Sequence, residues 1–392
     1  MSFKRLFFIS SILFLFNIVS TAQLDSLKEK VIENLDTLRF AKVKFGAFKI
    51  APYVAPIYSP ETNFMISGGG LLSFKVQKDD KKLNYSSIPF SFGYSISGAI
   101  DVVVNHEVFW VEDKMRMIGE FQFKNRIDNY WGVGYEAGRN IEKSDTTTEY
   151  KRKYFKLKER VMFNLGNSLF IGPVIDFNIT DANEMNPLML QDEHVIDQGT
   201  QFDPMGFGVA FEHDSRDFPS NAYKGWYLGG TIAWYSDWIK SSARYFRTEI
   251  TYKHYLTIKR KRRVLAWQVK SIMTTGSFIP WTDMAMIGGK DDLRGYTLGR
   301  FRDKELITAV VEFRNMFKRK RLNKKGNYNS RWGYVAWLGT GSVAPRIIEL
   351  KHWLPNGGVG LRWEVRDRMN IRVDAGIGQG EHGFYVTFKE AF

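Results

Sequence analysis

Gly358–Phe392 reads GVGLRWEVRDRMNIRVDAGIGQGEHGFYVTFKEAF. Val359, Leu361, Trp363 and Val365 alternate with Gly360, Arg362, Glu364 and Arg366, and Ile371, Val373, Ala375 and Ile377 alternate with Arg372 and Asp374. Phe384, Val386 and Phe388 do the same against Tyr385, Thr387 and Lys389. A side-chain period of two is that of a β-strand. One apolar face backed by one charged face suits a barrel wall with lipid outside and water inside. Helices and closed barrels alone satisfy their backbone groups in a bilayer, and nothing after Val19 resembles a transmembrane helix. The opposing reading is a soluble, two-layered antiparallel protein with its apolar faces turned inward. It accounts poorly for runs longer than the roughly five to six residues of globular strands, whereas transmembrane strands need about 9 to 11.

The same alternation extends toward the N-terminus. Strand-like runs fall near 49–58, 62–77, 82–95, 98–111, 113–127, 152–165, 168–180, 205–215, 224–236, 243–258 and 264–276, and five more follow residue 303. The expected fold is therefore all-β, a transmembrane antiparallel barrel of about 16 strands, an even number as in bacterial barrels. Tyr58–Thr62, YSPET, reads as a tight turn with Pro60 ending the ladder. Asn129–Asn140 reads equally as a long turn or a weak strand, and Asp181–Asp203 as a surface loop. Ahead of the barrel, Lys4 and Arg5, the apolar run Leu6–Val19 and the small residues Ser20 and Ala22 have the layout of a secretory signal peptide. The expected divisions are a signal peptide over 1–22, a short segment over 23–41 and the barrel over 42–392. Leu24, Leu27, Val31, Leu35 and Leu38 are spaced as one face of a short amphipathic helix.

The chain has no cysteine and a formal net charge of +14. That excludes disulfides, thiolate metal sites and a lipid-modified cysteine. The basic runs Lys259–Arg263 and Lys318–Arg321 fall at expected strand ends, where they would meet acidic lipid headgroups. A basic lumen selecting anions is the weaker reading of the charge, and nucleic acid is not an expected partner. No catalytic residue, metal site or cofactor is expected. Gly132–Ala137 matches a dinucleotide fingerprint formally but lacks the strand–helix–strand unit around it, and His106 with Glu107 lacks the second histidine of a zinc protease.

Gly288–Asp303, GGKDDLRGYTLGRFRD, breaks the alternation with glycines, arginines and aspartates. Ordering it costs roughly 1 to 2 kcal/mol of backbone entropy per residue, so it reads as a functional loop folded against the wall. Leu293–Asp303, LRGYTLGRFRD, resembles the loop motif of the BamA/TamA-type outer-membrane barrels, which include two-partner-secretion transporters. Phe211–Leu228, FEHDSRDFPSNAYKGWYL, is similar to that family's turn of acid, arginine, acid, proline and glycine, here Asp214, Arg216, Asp217, Pro219 and Gly225. Gly357–Gly378 followed by a terminal aromatic resembles its last strands. The matches run in family order through the second half of the chain.

The resemblance implies that the loop folds into the lumen, with Arg294, Gly295, Tyr296, Gly299 and Arg300 as its motif, and that Arg294 pairs with acids on the wall. Glu312 falls on the inward face of its strand and is the expected partner. Many relatives carry a second acid where this chain has Gly339, so Asp374, Glu364, Asp214 and Glu212 are the candidate substitutes. Family members that assemble or transport proteins carry POTRA domains before the barrel, and the residues after Gln23 are too few for one, so the resemblance is to the barrel alone. Phe384, Phe388 and Phe392, on the apolar face, resemble the signal by which such barrels are assembled. The function implied is a non-enzymatic barrel that helps insert or move proteins at the Gram-negative outer membrane. Its partners would be outer-membrane lipids, outer-membrane or surface protein clients, and the assembly machinery for its own insertion. The alternative is a passive pore or structural barrel that has lost the transport role.

Overall fold

A computed structural model describes residues 21–40, 44–59, 63–81, 83–319, 329–366 and 368–392. The expected leader up to residue 20, Pro60–Thr62 of the first turn and Lys320–Arg321 of the second basic run lie outside these. Sixteen strands make the wall: β1 (Lys49–Ser59), β2 (Asn63–Phe74), β3 (Ser86–Ser95), β4 (Ile100–Phe109), β5 (Met115–Asn129), β6 (Glu149–Asn164), β7 (Leu169–Asn183) and β8 (Met205–Asp214). The second half is β9 (Gly225–Tyr235), β10 (Arg244–Thr257), β11 (Arg263–Phe278), β12 (Glu305–Lys318), β13 (Asn329–Ala344), β14 (Leu354–Arg366), β15 (Met369–Gly378) and β16 (Glu381–Phe388). Each pairs antiparallel with its sequence neighbour, and β1 meets β16 to close the barrel.

Exposure decides between the two arrangements of an alternating strand. On β14, Val359 is 63%, Leu361 55% and Trp363 40% exposed, while Arg362 between them is 1% exposed. The apolar row faces outward and the charged row inward, the reverse of a soluble sandwich. No helix among the described residues is long and apolar enough to cross a membrane.

The two ends differ. One carries the long segments 130–148, 184–204, 279–304 and 345–353, and is called here the loop end. The other carries short connections and is the turn end. The stretch 129–140, ambiguous in sequence, finishes β5 and then forms the six-residue helix α2 (Tyr135–Asn140) within the loop end.

At the turn end, α1 (Thr21–Phe40) docks on the β6–β7 connection, where Lys30 Nζ donates to Leu165 O (2.9 Å) and Asn34 Nδ2 to Asn164 O (2.6 Å). The helix thus meets the rim through polar side chains. Leu35 of the expected apolar stripe remains 47% exposed.

Candidate functional site

The loop between β11 and β12, residues 279–304, enters the barrel and lies against β12–β16. A short ribbon pairs Ala285–Ile287 with Phe301–Asp303 and closes the loop on itself. Gly295 has φ +121°, a region open to glycine, and a Cβ there would come within 2.8 Å of the Ile377 backbone. The chain therefore passes against the wall where a side chain would not fit. The wall is correspondingly bare on its inward row: a Cβ on Gly376 would lie 2.3 Å from Arg294 O. Gly339, at the position where the sequence resemblance implied a second acid, and Gly341 leave the space that the fully buried Leu293 fills.

Arg294 is wholly buried. Its Nη1 donates to Asp374 Oδ2 (2.6 Å), its Nη2 donates to Glu312 Oε1, and its guanidinium lies 3.7 Å from the Trp337 ring centre. A planar fork meeting two carboxylates and an aromatic face is chemistry that lysine does not reproduce. The acids are shared further. Glu312 Oε2 accepts from Arg314 Nε (2.8 Å), Asp374 Oδ1 from Arg362 Nη1 (2.5 Å), and Glu390 Oε2 from Arg362 Nε (2.8 Å). Asp291 on the loop accepts from Arg372 Nη2 on β15. The result is a lattice of alternating charge through the strand-side half of the lumen, in which the buried acids Glu312, Asp374 and Glu390 each have more than one partner.

The rest of the loop motif is tied down by hydrogen bonds. Gly295 N donates to Tyr385 OH (3.1 Å), and Tyr296 OH donates to Pro355 O (2.7 Å) while accepting from Gln379 N (2.7 Å). Thr297 N (3.0 Å) and Oγ1 (2.8 Å) both donate to Glu381, which also pairs with Arg300 at 3.4 Å. Arg300 Nε reaches Gly138 O (2.9 Å), and Arg302 O accepts from Gly134 N (2.8 Å), so the 130–148 segment is clamped onto the loop. Gly299, with φ +85°, turns the chain between these anchors.

Glu364 does face inward, but it pairs with Arg262 (2.6 Å) and not with Arg294. Its register partner is Asn370, whereas Asp374 lies opposite Gly360. That separation is four residues, roughly 13 Å along the strand. Glu212 and Asp214 are engaged elsewhere, by Arg116 (2.7 Å) and Arg216 (2.7 Å). Phe392 also departs from expectation. Phe384 and Phe388 keep to the outward row, but Lys389 takes φ +66°, which breaks the strand's alternation. Glu390 then reaches Arg362, and Phe392 is buried inside the barrel, its carbonyl accepting from Arg314 Nη2 (2.9 Å). Sequence reasoning missed Trp337, Asn356, Arg362, Arg372 and Glu381. Their only signal was position on inward rows that abut the loop.

The second motif forms the β8–β9 turn at the turn end. Arg216 grips Asp214 through Nε (2.9 Å) and Nη2 (2.7 Å) and donates through Nη1 to Pro219 O (3.0 Å). Gly225, with φ +98°, passes Ser215 O so closely that a Cβ would lie 2.2 Å from it. Asp217 Oδ2 accepts from Arg368 Nη2 (2.8 Å) and Oδ1 from Tyr223 N (2.9 Å), which joins this turn to the β14–β15 connection. Burial works against the charge on Asp217, but the Arg368 guanidinium and the backbone amides outweigh it and hold its carboxyl below the usual range. A depressed pKa means that the tie is present above the ordinary carboxylate range and is lost as pH falls through the lowered value. Limited proteolysis is expected to cut the 215–224 turn only at strongly acidic pH, and Asp217→Asn protein to be cut there already at neutral pH.

The lumen that the loop leaves open holds polar space, part of it bounded by the loop's own Asp283, Met286, Leu298 and Arg302. A cavity of 330 Å³ lies toward the loop end, lined in part by Lys124, Arg126, Tyr154, Lys156 and Glu249. A second of 380 Å³ lies toward the turn end, lined in part by His106, Glu107, Arg160 and Lys253. No group of metal-binding side chains occurs among the described residues.

The model of the Omp85 superfamily domain matches residues 85–328. No curated protein matches the sequence. Among solved structures, BamA from Haemophilus ducreyi lacking POTRA domains 1–3 is similar with a TM-score of 0.56 at 9% identity, over 87% of this chain and 70% of that one. CdiB from Escherichia coli is similar with a TM-score of 0.53 at 10% identity, over 90% of this chain and 68% of that one. At these identities the likeness is one of fold.

Proposed function

Since this chain belongs to the Omp85 superfamily, we propose that it acts at the Gram-negative outer membrane, offering the edge between its first and last strands to protein clients during insertion or transport. The observation that carries this reading is the seam. Among the described residues, β1 and β16 are registered at one position, Tyr58 opposite Val386, whereas the other neighbouring strands pair along much of their length. Pro52 and Pro56 on β1 have no N–H to give a ladder. Aromatic contacts bridge the gap, Tyr53 to Phe388 at 4.4 Å and Tyr58 to Phe384 at 6.1 Å between ring centres. A weakly paired edge is a template for an incoming strand. In this reading residues 1–22 direct export and the chain performs no catalysis. Outer-membrane or surface proteins are the clients, lipids surround the wall, and the cell's barrel-assembly machinery inserts the protein itself.

The absence of cysteine permits a direct test. Directly opposed residues of an antiparallel pair have Cα atoms about 4.5 to 5.5 Å apart, within disulfide range. Tyr58→Cys with Val386→Cys is expected to lock the seam under oxidation, lower the membrane level of specific barrels or surface proteins at constant transcript, and recover on reduction. Unchanged levels in fully cross-linked cells would overturn the proposal.

A further inference from the structure

The basic run Lys259–Arg263 forms the β10–β11 connection, and its arginines divide between the two faces of the wall. Arg262, at φ +72°, turns into the barrel and is neutralised by Glu364 (2.6 Å), with a further bond to Ser330 O (2.9 Å). Arg260 and Arg263 lie on the outer side and converge on one acceptor. Arg260 Nη2 donates to Asn315 Oδ1 (2.7 Å) and Met316 O (2.7 Å), and Arg263 Nε donates to the same Asn315 Oδ1 (3.1 Å). Among the described residues neither guanidinium reaches a carboxylate. Two like charges are thus held side by side on a neutral, buried amide. Burial and the neighbouring Arg263 push the Arg260 pKa down, the sign of a cation short of counter-charge.

We propose that Arg260 and Arg263, held by Asn315, seat the phosphate of an anionic glycerophospholipid on the outer face of the barrel at its turn end. The remaining guanidinium N–H groups supply a forked donor set suited to phosphate oxygens. Trp267, Phe317 and Tyr334 on β11–β13 lie on the same outward face, where aromatic side chains mark the headgroup depth of a bilayer. Exposed Lys259, Lys261, Lys318 and Arg319 lie in the same connection or at the same end of the neighbouring strand and add long-range attraction for acidic lipid. The outward setting, and not the lumen, selects lipid over a soluble anion.

The test is native mass spectrometry of the detergent-purified barrel titrated with phosphatidylglycerol and with phosphatidylcholine. Wild-type protein is expected to prefer phosphatidylglycerol by roughly tenfold, and R260Q/R263Q to lose most of that preference. K78Q/K81Q, which removes as many charges from another exposed connection at the same end, is expected to keep it. R260K/R263K retains the charge without the fork and is expected to fall well below wild type, which keeps the idea testable if the glutamine pair does not fold. The proposal is overturned if R260Q/R263Q or R260K/R263K keeps the full preference, or if K78Q/K81Q loses as much. Displacement of the lipid by inorganic phosphate at comparable concentration also overturns it.

Discussion

Arg294→Ala is expected to release residues 279–304 from the wall and to destabilise the barrel by about 3 to 5 kcal/mol, the usual cost of removing one partner from a buried ion network. The side chain is fully buried, joins Glu312 to Asp374 and covers Trp337. Its loss strips one cation from two buried acids and opens a cavity over the indole. Glu312 keeps Arg314 and Asp374 keeps Arg362, so the lower end of the range is expected. Arg294→Lys is expected to recover little, because a single ammonium cannot meet both acids in plane. The temperature at which the folded form disappears from semi-native electrophoresis reads the stability. Maleimide labelling of a cysteine placed at Thr297 reads the docking. Wild-type melting together with wild-type labelling would show that Arg294 does not hold the loop.

Gly376→Ala should expel the same loop with every charged residue in place. The added methyl would lie 2.3 Å from the Arg294 carbonyl oxygen, a backbone atom that cannot swing aside. Overpacking of a closely fitted site costs typically about 1 to 3 kcal/mol, and here the strain falls on the loop–wall contact itself. The Thr297 labelling assay is expected to respond as strongly as for Arg294→Ala, with a smaller drop in melting temperature. If the loop stays docked, the bare inward row is not a requirement of its position.

The wall was legible in the sequence because lipid and water impose opposite demands on alternate residues. Val359, Leu361 and Trp363 against Arg362 is a pattern that few other environments produce. Arg294 and Glu312 were within reach because Glu312 sits on the first strand after the loop, where parity alone fixes its face. Asp374 was one of several inward acids, and parity does not give height along the barrel, which is why Glu364 looked equivalent and is not. Arg362 and Arg372 read as ordinary lumen charges, since nothing local in their strands records that Arg372 meets Asp291 of the loop or that Arg362 shares Asp374 with Arg294. Phe392 was misplaced because a single left-handed residue, Lys389, inverts parity, and lysine does not advertise that conformation as glycine does.

The placement of the loop makes the two lips of the seam mechanically unlike. β16 is braced from within: Tyr385 takes a hydrogen bond from Gly295, and Glu381 holds Thr297 and Arg300. β1 presents Ala51, Ala55 and Ile57 to the interior, side chains without charge. On the proposed reading one lip is a fixed jamb and the other a compliant leaf hung on β2. Strain applied at the seam is therefore expected to bend β1 and β2 while the C-terminal strands hold their shape.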